Sequence, residues 1–151
     1  MADTDRPTSG DGATAVAPTS DMGAAGARWD DHICATSTPT EQLVWRIPRL
    51  WQLARDLPVE LVPLSRVERY LHGHWGPDRP SGFDIARHAR RIMAADLDYP
   101  IIFAAEGHLM DGTHRIAKAY ALGLTELKAV RFRVTPEPDE RRPRKERAAN
   151  R

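Results

Sequence analysis

The chain has 151 residues, a formal net charge of +1 and a single cysteine, Cys34. That length holds one domain of ordinary size, the near-zero charge gives no overall bias toward nucleic acid or an acidic membrane, and one cysteine excludes an internal disulfide and fits a reducing cytosol. The amino-terminal MADTDRPTSGDGATAVAP has acids where a secretory leader needs basic residues, and no later run reaches membrane-spanning length, so the sequence reads as a soluble cytoplasmic protein.

Residues 1–37 are rich in Gly, Ala, Ser, Thr, Asp and Pro and poor in large aliphatic side chains. Such a stretch buries too little surface to offset the entropy of ordering and is expected to be a disordered tail, with Trp29, Ile33 and Cys34 at its end as the residues able to dock onto a domain. A folded core is expected over residues 38–134. Thr38-Pro39-Thr40-Glu41 has the Thr-x-x-Glu spacing of a capping box, and Leu43, Val44, Ile47, Leu50, Trp51 and Ala54 follow at helical spacing, with Pro48 expected to kink or split the helix. Val59–Leu64 is short, apolar and bounded by prolines, which predicts a strand leading into a brief helix over residues 65–71. HGHWGPDRPSG is punctuated as a loop. Ser81-Gly82-Phe83-Asp84 then opens a helix to about Ala95, with Ile85, Ala89, Ile92 and Met93 on its apolar side.

Pro100–Ala105 predicts a strand, Glu106-Gly107 a tight turn and His108–Met110 a returning strand. Ile116, Ala117 and Tyr120 give the next helix its buried side, and Gly123 stands where a helix ends. Leu127–Val134 alternates, with Val130, Phe132 and Val134 on one side and Arg131 and Arg133 on the other. Residues 135–151 change composition again, to prolines and then RRPRKER, and predict a charged flexible tail. The fold class is therefore α+β: a short mixed sheet packed with helices, flanked by disordered termini.

The chemistry concentrates in DGTHR, residues 111–115, at the junction of the second hairpin strand and a helix. A helix start leaves backbone N–H groups unpaired and carries partial positive charge, so it binds anions, phosphate above all. Gly112 lets a phosphate oxygen approach the backbone, Arg115 offers a planar fork, His114 moves a proton near neutral pH, and Lys118 lies one turn on. Asp111 either caps the helix or serves chemistry, as a magnesium ligand or a base toward a hydroxyl substrate.

PIIFAAEGHLMDGTHRIAKAYALG followed by LKAVRF resembles the ParB/sulfiredoxin-like superfamily, in which a strand, a turn and a strand lead to a Gly-x-[His/Arg]-Arg helix start and a further short strand. VELVPLSRV resembles the family's first strand, and the likeness spans roughly residues 59–132. It implies a nucleotide- or phosphate-binding domain, with Gly112, Thr113, His114, Arg115 and Lys118 toward the cofactor and Asp111, His114 and Arg115 in any catalysis. Thr113 stands where sulfiredoxins carry their reactive cysteine, so that reductase chemistry is not expected. Partition proteins use the motif to bind CTP and continue into a helix-turn-helix domain, whereas under twenty residues follow the last strand here. DGTHR matches the Asp-Gly-His-His-Arg motif of free-serine kinases in the superfamily at all but Thr113, and those kinases need a further acid after the first strand, for which Glu68 is the nearest candidate.

The expected ligand is thus ATP, ADP, CTP or another phosphorylated small molecule, with or without Mg2+, and the expected activity, where there is one, phosphotransfer or nucleotide hydrolysis. The alternative is a non-catalytic module whose basic patches, the carboxy-terminal cluster among them, engage DNA or a protein, while Arg87, Arg90 and Arg91 either extend the phosphate-binding surface or face water. Trp75 either stacks on a ligand ring or covers the core edge, and His88 either borders the anion pocket or faces solvent. His72, His74 and His88 match no established zinc spacing, so no metal site is assigned.

Overall fold

The structure, a computed structural model, describes residues 33–73 and 79–144. Thr38-Pro39-Thr40-Glu41 makes the hydrogen bond that its spacing predicts, with the Glu41 N–H donating to Thr38 Oγ1 at 3.0 Å, but uses it to reverse a strand. β1 (Ile33–Ser37) and β2 (Glu41–Arg46) pair antiparallel across this turn, with Cys34 opposite Trp45. The helix expected from Thr38 is therefore a hairpin, and the expected tail gives way to a strand at Ile33. A threonine bonding an N–H three residues on serves a turn as well as a cap, and cross-strand packing of Val44 and Trp45, both buried, decides between them. α1 (Ile47–Ala54) follows, with Pro48 in its first turn, where the missing N–H costs nothing; the proline opens this helix rather than kinking it.

β3 (Glu60–Pro63) runs into α2 (Leu64–Val67) and a 3-10 turn over Glu68–His72, as the proline-bounded strand and brief helix predict. α3 (Gly82–Ala94) starts at Ser81 with a full capping box. β4 (Ile101–Phe103) and β5 (Leu109–Asp111) form the expected hairpin, α4 (Thr113–Ala121) follows, and Gly123 ends it at φ +70° while Leu124 N–H bonds back to Ala119 O at 3.0 Å. β6 (Glu126–Arg131) comes next. The last element, β7 (Glu140–Pro143), lies in the segment expected to be a flexible tail and pairs with β2, Leu43 opposite Arg141. Its charges hid it: strand-forming side chains are absent, and ion pairs to β2 and its own neighbours take their place.

The strands form two sheets, β1-β2-β7 and β3-β6-β4-β5. In the second, β6 runs parallel to β4 and antiparallel to β3, so the sheet is mixed. Period-two alternation splits its side chains. Ile101, Phe103, Leu127 and Ala129 pack with Leu64, Val67, Ile116 and Ala119 of the helical layer. Ile102, Met110, Val130 and Phe132 pack with Cys34, Trp45, Leu50 and Ala54 of the amino-terminal hairpin and α1. Val134, expected beside Phe132, is 80% exposed because β6 ends at Arg131. α3 has no buried residue and packs on α4. No helix among the described residues is long and apolar enough to cross a membrane.

Candidate functional site

β5 ends at Asp111 and Gly112 follows at the start of α4, packed against Ile101 of β4. Gly112 is buried with φ +125°, and a Cβ there would lie 2.7 Å from Ile101 Cβ and collide with Ile101 Cγ2. The glycine is thus required by close packing against β4 and by its left-handed backbone. This packing requirement stands beside the expectation that the glycine clears the way for a phosphate oxygen.

Gly112 is the N-cap of α4 and supplies no side-chain cap. Nor does Asp111: its Oδ2 accepts from Arg115 Nη2 at 2.7 Å and from Trp51 Nε1 at 2.7 Å, so the expected cap is not made. The reason is competition, since a guanidinium and an indole N–H, both partly buried, take the carboxylate away from the helix amides. The Arg115 side chain is 11% exposed and its Nε is buried without a hydrogen-bond partner. Helical side chains lean toward the amino-terminal end, which places this guanidinium beside the first turn of α4.

Thr113 and His114, both half-buried, form that first turn. Nε2 of His114 lies 3.4 Å from Nδ1 of His88 on α3, so the structure brings together two histidines that the sequence separates by a loop and a hairpin. Lys118 points elsewhere: its Nζ donates to Met93 O at 2.9 Å and Ala95 O at 2.6 Å, the carbonyl end of α3. A cation there offsets the negative end of the α3 dipole, and this corrects the expectation that Lys118 reaches toward a ligand at the start of α4.

Glu68 opens the 3-10 turn, exposed and without a hydrogen bond to the motif. Trp75 and His74 lie outside the described residues, as do Trp29 and Lys145 to Arg151. His72 is exposed at the end of the 3-10 turn, and among the described residues no group of three or more His, Cys, Asp or Glu side chains converges to hold a metal. The carboxy-terminal arginines that are described are engaged: Arg141 with Glu41 at 2.8 Å and Glu137 at 3.1 Å, Arg142 with Glu140 at 2.8 Å, and Arg144 with the Thr38 carbonyl at 3.3 Å. On α3, Arg87 sits 3.8 Å from Asp84, and Arg90 is exposed.

Sequence reasoning missed two participants. Trp51, read only as core, orients Asp111; the available signal was that a buried indole N–H must find an acceptor. Cys34 lies close enough to Asp111 to feel its charge, and burial together with that charge pushes its thiol up to about 11. The thiol is therefore protonated near neutral pH and supplies no nucleophile. No known family, curated protein or solved structure matches the chain.

Proposed function

We propose that this chain is a ParB/sulfiredoxin-like α+β domain that binds a nucleotide or other phosphorylated ligand at the start of α4. The order β4, β5, α4, β6 agrees with the strand, turn, strand, helix and strand of that resemblance. The observation that carries the ligand reading is a helix start left without a side-chain cap, beside a guanidinium whose buried Nε lacks a partner. Helix amides with no internal partner and an unused N–H donor together favour phosphate oxygens. His114, on the first turn, is the group able to hydrogen-bond a phosphate oxygen or move a proton.

Phosphotransfer or nucleotide hydrolysis is the catalytic extension of this reading, with the amides and Arg115 stabilising charge on the transferred group. Oδ2 of Asp111 is already shared by Arg115 and Trp51, and the reading stands on anion contacts and not on a metal. The DNA-binding alternative loses support because Arg141 and Arg142 are already paired with glutamates. Thermal-shift titration with ATP, ADP and CTP, with and without Mg2+, tests the proposal: stabilisation by at least one, weakened in His114→Ala, is expected. A flat response to all three removes the nucleotide reading.

A further inference from the structure

The facing imidazoles at the start of α4 have a geometry that anion binding alone does not use. The ring centroids of His88 and His114 are 5.7 Å apart with 20° between the ring planes, while the nearest nitrogens are 3.4 Å apart. The centroid separation exceeds the nitrogen separation by about the sum of the two ring radii. The nitrogens therefore meet nearly head-on along the line of centroids, and the near-parallel planes mean near-coplanar rings rather than one face lying over the other.

A neutral imidazole has one N–H and one lone pair, so two nitrogens facing in this way need one proton between them. Adding one more proton to the pair keeps the arrangement, as an imidazolium donating to a neutral ring, and makes it charge-assisted. Adding a second sets two N–H groups nose to nose with like charges. Interacting sites of this kind take up protons as a unit, the first disfavouring the second.

The surrounding charges make that single proton matter. Asp111 and Arg115 neutralise each other at 2.7 Å, and Lys118 is held by the α3 carbonyls. Asp84 and Arg91 share the half-buried side of α3 with His88, and Tyr70, the half-buried titratable group of the 3-10 turn, accepts from Leu109 N–H. Lys128 on β6 pairs with Asp98, while Glu68, Arg69 and His72 of the 3-10 turn, Arg66 of α2 and Glu126 and Arg131 of β6 are exposed. Among the described residues near this helix start, the histidine pair is thus the group suited to exchange a proton near neutral pH.

We infer that His88 and His114 share one ionisable proton, and that this proton is taken up from solvent when a phosphomonoester dianion binds at the start of α4. The inference rests on the anion-site reading above and adds its ligand class. An incoming dianion favours the charged form of the pair, whereas a phosphodiester brings a single negative charge and draws the proton less strongly. Binding with proton uptake weakens as pH rises through the first step of the pair.

The test uses the full chain, with imidazole C–H resonances followed by NMR from pH 5 to 9 and assigned through His88→Gln and His114→Gln. Sulfate is the probe, because it stays a dianion over that range and any pH dependence then belongs to the protein. Both rings are expected to move together in one step, with the second step well below it. Each single variant should leave its partner a single independent step. Sulfate should raise the first step, and its affinity should fall about tenfold per pH unit above that step. Phenyl phosphate should bind more tightly than dimethyl phosphate at pH 7. Independent titration of the two rings, each unchanged when the other is replaced, overturns the shared proton. Sulfate binding of constant affinity from pH 6 to 8 overturns proton uptake while leaving the anion site standing. No binding of sulfate or phenyl phosphate at any pH, in a chain whose rings titrate together, overturns the anion site itself and the ligand class with it.

Discussion

Two helices in this molecule begin in opposite ways. α3 starts on the surface, and Ser81 and Asp84 close a reciprocal box: Asp84 N–H donates to Ser81 Oγ at 3.2 Å and Ser81 N–H to Asp84 Oδ2 at 2.9 Å. α4 starts inside the fold, with a glycine at the cap and the adjacent acid turned to Arg115 and Trp51. The first start satisfies itself with four consecutive residues. The second depends on α1, β4 and its own first turn, and leaves its amides for something else. α1 and α2 also start without a side-chain cap, so what sets α4 apart is the buried Arg115 guanidinium beside its uncapped start.

The contrast breaks first at Gly112. Gly112→Ala combines a left-handed backbone with a collision against Ile101, and is expected to cost on the order of 4 kcal/mol, read as a large loss of urea midpoint; the same change at Gly82, where an added Cβ meets nothing within 4 Å, should be mild. Arg115→Met comes next. It strands the partly buried Asp111 carboxylate with only Trp51, at a cost of about 3 kcal/mol by chemical denaturation. If the variant unfolds no more easily than the parent, Asp111 and Arg115 are not the structural pair described here.

The buried side of the α4 start also predicts a pH effect. With the Cys34 thiol at about 11 in the fold against 9.0 ordinarily, the unfolded chain loses this proton first. Unfolding then releases a proton between those values, so stability is intact below pH 9 and falls as pH rises toward 11, by roughly 2–3 kcal/mol at full effect. Cys34→Ala should flatten that alkaline limb in urea titrations at fixed pH, whatever it costs at neutrality. The smallest effect belongs to α3: Ser81→Ala should lose about 1 kcal/mol, visible as faster amide exchange in its first turn, with β4 and α4 undisturbed. Equal losses at both helix starts would erase the distinction between them.

These two starts also mark what the sequence reveals. Ser81 and Asp84 announce a cap because every participant lies within four residues, and Gly123 announces a helix end for the same reason. The hairpin of β4 and β5 and the alternation of Val130 with Phe132 are readable from period-two patterning around a glycine turn. Thr38 and Glu41 mislead because their local bond fits two structures, and the deciding contact, Cys34 against Trp45, crosses the hairpin. β7 carries almost no apolar pattern, and its partner lies roughly a hundred residues away in β2. At the candidate site, the motif gives the identities of Asp111, Gly112, His114 and Arg115. The work each does depends on Ile101, Trp51 and His88, which no spacing rule connects to DGTHR. Lys118 shows the same limit, its helical position being legible and its destination at the end of α3 not.

The pairing of β2 with β7 has a consequence for how the chain folds. Leu43 meets Arg141 and Val44 meets Glu140, and Trp45 Nε1 donates to Pro136 O at 2.8 Å, so the amino-terminal sheet is completed by residues made about ninety to a hundred positions later. Closing so long a loop is slow compared with local helix and hairpin formation. During synthesis β1 and β2 therefore wait as a two-stranded hairpin with an open edge, one whole face of the mixed sheet depending on them, until the strand that seals the edge is made. The last strand is thus the latch of the fold, and damage to it should register more in the yield of folded chain than in the stability of chain already folded.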